Sequence, residues 1–100
     1  MISFSIMSSV DIAAELAARL KGRRLAQNLT LEGLARRSNV PLGTLKRFEH
    51  RGQISLVSFI RLVIVLKDEA ALENLLLEQK FETLDEILQS GKKPQRGRLN

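Results

Sequence analysis

Residues 30–52, TLEGLARRSNVPLGTLKRFEHRG, constrain the fold more than any other stretch of this chain. Thr30 stands just before an apolar-periodic run, where its hydroxyl can accept a hydrogen bond from an orphan N–H of a first helical turn. A short helix is expected over residues 31–37. Ser38, Asn39 and Val40 then form a turn, with Asn39 at the reversal because Asn tolerates the left-handed conformation better than most residues. Pro41 suits a first helical position, where its missing N–H is not needed, and it opens a second helix over residues 41–50. Leu34, Ala35, Val40, Leu45 and Phe48 are spaced to meet between the two helices, and Ala35 is small enough to let them come close. Leu42, Gly43, Lys46 and Arg47 are left on the outward face of the second helix.

The flanking segments carry helix signals of the same kind. A first helix is expected over residues 10–27, with Ser9 as cap, Ile12, Leu16 and Leu20 on one face, and Leu25 and Leu29 continuing the apolar lining. Gly22 is its weak spot, at roughly 1 kcal/mol relative to Ala. Ser55 caps a helix over residues 56–66 that is apolar on more than one side and should be covered on both. Asp68 caps a fifth helix over residues 69–79. Thr83 and Glu86 form a capping box before Ile87 and Leu88, so a short helix is expected over residues 84–89, ended by Gly91. The expected organisation is an unstructured leader over 1–8, a helical domain over 9–80, a short C-terminal helix within 81–90 and a basic unstructured tail over 91–100. Leu76, Phe81, Leu84, Ile87 and Leu88 form an apolar set too large for one short helix to hide, and mark a candidate contact with a second copy of the chain.

Charge narrows the partners. Residues 1–66 hold ten Lys or Arg against four acids, residues 67–90 two against seven, and the last ten residues four cations and no acid. The positive excess sits around the two-helix unit and on the tail, which points to a polyanion. It clusters about a turn and not along one amphipathic face, which argues against a membrane-surface binder. The chain has no Cys and one His, so neither a disulfide nor a structural zinc site is expected. No nucleophile is paired with a base and no Gly-rich phosphate loop is present, so the chain reads as neither an enzyme nor a cofactor binder. No apolar run approaches a bilayer-spanning length, and a cytoplasmic, nucleoid-associated location is expected. His50 falls at a helix C-terminus, a place for capping or phosphate contact.

From about residue 16 to residue 66 the chain resembles the phage-repressor, Cro-like helix-turn-helix family, also called the xenobiotic-response-element family. The residues that carry the likeness are Leu29-Thr30 at the opening of the scaffold helix, Leu34-Ala35 at the packing point and Asn39-Val40 in the turn, where the family more often has Gly. Thr44-Leu45 and Phe48-Glu49 follow in the recognition helix, with Arg51-Gly52 at its end. The resemblance implies an all-α, compact five-helix lambda-repressor-like domain that binds DNA as a dimer. It also implies that Arg24 pairs with Glu49. One departure is Leu31, where the family often has a phosphate-contacting Gln.

In such a domain the second helix of the unit enters the major groove while the first crosses the backbone. Leu42, Gly43, Lys46 and Arg47 then face base edges, and Arg47 is suited to a bidentate contact with guanine. Arg23, Thr30, Arg36, Arg37, Thr44 and Arg51 are the candidate phosphate contacts. Residues 81–100, a short helix pattern followed by a Lys/Arg-rich end, look like the tail of HipB-like antitoxins. That likeness implies repression of the chain's own operon, through a palindromic operator, and neutralisation of a HipA-type kinase toxin. The competing expectation is a protein-interaction module whose main work is to hold a partner inactive.

Overall fold

The computed structural model, which describes residues 3–77, has five helices: α1 (Ser9–Ala26), α2 (Leu31–Ser38), α3 (Leu42–Arg51), α4 (Leu56–Val65) and α5 (Glu69–Asn74). Three of them, α1, α2 and α4, begin where a short polar side chain takes up a free backbone N–H. The Ser8 hydroxyl accepts from the Asp11 N–H at 3.1 Å, Thr30 from Gly33 at 2.9 Å and Ser55 from Ser58 at 3.2 Å. Each such cap contributes about 1 kcal/mol. The cap of α1 is Ser8, one residue before the expected Ser9, and α3 starts at Leu42 with Pro41 in the cap position. Asp68 makes no capping bond; its carboxylate instead lies 3.4 Å from Arg23.

The described part of the chain is compact and all-helical. Helix α1 packs against α3, α2 against both α3 and α4, and α4 against α5. Leu34, Leu45 and Leu62 are fully buried at the centre, joined by Ala17, Leu20, Leu29, Val40, Phe48 and Leu66. The Phe48 and Phe59 rings meet edge to face with centroids 5.6 Å apart, a geometry that matches the positive ring edge to the negative ring face. The Gln27 amide donates to the Leu66 carbonyl at 3.1 Å and ties the end of α1 to the end of α4.

Several apolar side chains face water where the sequence suggests cover. Leu25 is exposed because it lies one turn after the exposed Lys21, on the side of α1 away from the buried Ala17, Leu20 and Arg24. Helix α4 is covered on one side only: Leu62, Val63 and the following Leu66 are buried, whereas Leu56, Val57 and Ile64 are exposed. Helix α5 stops at Asn74, five residues short of the expected 79, and Leu75, Leu76 and Leu77 are exposed. Part of the leader has a place: Ser3 caps a single 3-10 turn, Phe4–Ile6, and the Arg19 guanidinium lies 4.7 Å from the centroid of the Phe4 ring. The short helix expected at 84–89 and the basic tail lie outside the described residues. Among the described residues no helix is long and apolar enough to cross a membrane.

Candidate nucleic-acid interface

The geometry of the α2–α3 pair follows from its punctuation. Asn39 closes α2 in the left-handed conformation, at φ 59° and ψ 34°, and its N–H reaches back to the Ala35 carbonyl. Ser38 is buried in the turn, donating to the Ala35 carbonyl and accepting from the Val40 N–H, both at 3.3 Å. This leaves Val40 inside, beneath both helices. At the far end Gly52 closes α3 with φ 73°, and an added Cβ there would sit 3.2 Å from the backbone of Ala13 and Ala14. Only glycine combines that conformation with that approach of α3 to α1.

A buried ion pair braces α3 from behind. Arg24 donates from Nε to Glu49 Oε2 at 2.8 Å and from Nη2 to Oε1 at 3.1 Å, while Nη1 donates to the Leu29 carbonyl at 2.8 Å. The two side chains are 7% and 10% exposed. One guanidinium thus joins α1, the α1–α2 loop and α3, using the planar fork that suits arginine to a bidentate carboxylate contact. No buried side-chain polar atom among the described residues lacks a partner.

With Leu45 and Phe48 held inward, the opposite side of α3 faces solvent. Gly43, Lys46, Arg47 and His50 are exposed, and their i, i+3, i+4, i+7 spacing makes them one stripe. Leu42 and Thr44 are half-buried at its margins. His50 thus shares the exposed face of Gly43, Lys46 and Arg47. Its spacing from Lys46 and Arg47 marks that face in the sequence, whereas its place near a helix end suggests capping or phosphate contact. Arg51, in the last turn of α3, and Arg36 and Arg37, in the last turn of α2, are also exposed, as is Thr30.

One expected phosphate contact, Arg23, is placed elsewhere, and the departure at Leu31 has a structural reason. Arg23 is drawn to Asp68 at the start of α5 and lines a groove to which neither α2 nor α3 contributes. Leu31 packs half-buried against the core, which accounts for an apolar residue at that position. Of the expected self-contact residues, Leu76 is exposed at the end of α5, and Phe81, Leu84, Ile87 and Leu88 lie outside the described residues. No family model matches the chain, and no curated protein compared with it matches.

Proposed function

We infer that this chain is a sequence-specific DNA-binding transcriptional repressor with a lambda-repressor-like helix-turn-helix domain. The observation that carries the reading is the exposed stripe Gly43–Lys46–Arg47–His50 on a helix whose other face is locked by Leu45, Phe48 and the Arg24–Glu49 pair. A helix of this kind fits the major groove of B-form DNA, about 12 Å wide. Arg47 and Lys46 reach base edges, Gly43 lets the backbone approach, and Leu42 offers an apolar contact to a thymine methyl. Thr30, Arg36, Arg37, Thr44 and Arg51 hold phosphates on either side, and the first two arginines take over the contact that Leu31 does not make.

The protein acts as a dimer on a palindromic operator, with the two reading helices about one turn of duplex apart. The likeness of residues 81–100 to HipB-like antitoxins supports a self-repressing antitoxin of a HipA-type kinase toxin. In the second reading, binding of that partner protein is the main task. The basic end after an acidic segment supports it, because it offers a cationic arm beyond the DNA-binding unit.

Titration against duplex from the chain's own upstream region, beside random duplex, at two salt concentrations tests the reading. Preference for the upstream duplex with a steep loss of affinity in salt is expected. Equal affinity for both duplexes refutes sequence-specific repression. Arg47→Ala narrows the gap between cognate and random duplex by about 1–3 kcal/mol and leaves the helical circular-dichroism signal unchanged, because Arg47 is exposed.

A further inference from the structure

A groove of about 420 Å3 lies between α1, α4 and α5, and no residue of α2 or α3 lines it. Leu16, Leu20, Phe59, Val63, Leu72 and Leu75 are among its walls, with Arg19 and Arg23 beside them. Adjacent to it, the end of α5 lays bare three consecutive leucines, Leu75 to Leu77, and Leu76 is 94% exposed. The chain continues for 23 residues past Leu77. In that stretch Phe81, Leu84, Ile87 and Leu88 recur at helical spacing, interleaved with Glu82, Asp85 and Glu86.

We propose that the groove receives residues 81–88 of a second copy of this chain, each copy lending its segment to the other. The apolar residues of the segment match the walls. Its acids match Arg19 and Arg23, which meet Glu15 and Asp68 in the described molecule; a guanidinium carries five N–H donors and can take a further carboxylate.

The hinge favours exchange over folding back. Only residues 76–80 join the groove-lining Leu75 to Phe81. Leu76 holds φ at +63°, where a side chain crowds its own carbonyl. Short strained hinges favour domain exchange. Extending this one relieves Leu76 and brings the bare leucine edges of two copies together. The proposal rests on the dimeric part of the reading above and needs no DNA.

The absence of cysteine makes a cross-linking test direct. Ala71→Cys stands at an exposed position lining the groove, and Ile87→Cys stands in the segment. Mixed under mild oxidation, the two variants are expected to give a disulfide-linked species of twice the 11.2 kDa chain mass, while each alone stays mainly at chain mass. Gln89→Cys repeats the test without removing an apolar side chain. With both cysteines on one chain, a species of chain mass carrying an internal disulfide overturns the proposal in favour of folding back. A mixture that cross-links no faster than Ile87→Cys with the distant Lys46→Cys also overturns it. Cross-linking without any preference for upstream duplex leaves the exchange standing and removes the repressor reading. Preference for that duplex without cross-linking does the reverse.

Discussion

Glu49→Ala tests the brace behind α3. The substitution strips Arg24 of a bidentate partner in a site where the two side chains are 7% and 10% exposed, leaving the guanidinium with the Leu29 carbonyl alone. Removing one member of a buried pair costs about 3–5 kcal/mol, because the remaining charge stays buried and uncompensated. Against a total stability of about 5–15 kcal/mol, that is a large part of what holds the domain folded. For a domain of this size each kcal/mol moves the thermal midpoint by about 4–8 °C, so a fall of about 12–40 °C is expected. Replacing both partners, as Arg24→Met with Glu49→Leu, should recover much of the loss, since an apolar pair leaves no orphaned charge. Recovery is incomplete because the Leu29 carbonyl loses its donor, a deficit of about 1–3 kcal/mol. Urea and thermal unfolding followed by circular dichroism measure all three variants. A loss below about 1 kcal/mol for Glu49→Ala, the range of exposed pairs, would refute the view that this contact braces the fold.

Three further outcomes are expected. Arg36→Ala and Arg37→Ala each weaken binding to all duplexes alike and lower the slope of log affinity against log salt by about 0.9, one phosphate contact apiece; an unchanged slope places that arginine off the backbone. Gly52→Ala destabilises by more than about 1 kcal/mol in urea titration, because the new methyl meets the Ala13 backbone at 3.2 Å in a conformation with positive φ; a neutral effect would show that α3 can draw back from α1 freely. Gly22→Ala raises stability by about 0.5–1 kcal/mol, since an added Cβ meets nothing within 4 Å and the site is mid-helix; a drop in midpoint counts against this.

The parts legible in the chain are those whose energetics are local. Thr30 and Ser55 start helices because the hydroxyl and the N–H it accepts from are three residues apart. Asn39 and Gly52 end helices because left-handed backbone favours those residue types. The inward positions of Leu34, Leu45 and Phe48, and hence the outward position of Lys46 and Arg47, follow from helical period. The Arg24–Glu49 pair is implied only by the family resemblance, because no spacing rule connects residues 25 positions apart.

Tertiary structure alone decided which apolar faces are covered. Leu25, Val57 and Ile64 have the same chemistry as the buried Leu20, Leu62 and Val63, and differ only in whether another helix lies against them. It likewise sent Arg23 to Asp68, Asp68 away from its capping role, Phe4 to Arg19, and the α5 end to Asn74. The physical reason is range. Caps, turns and periodicity are settled within a few residues of chain, whereas burial and ion pairing depend on which surfaces the completed fold brings within a few ångströms of one another.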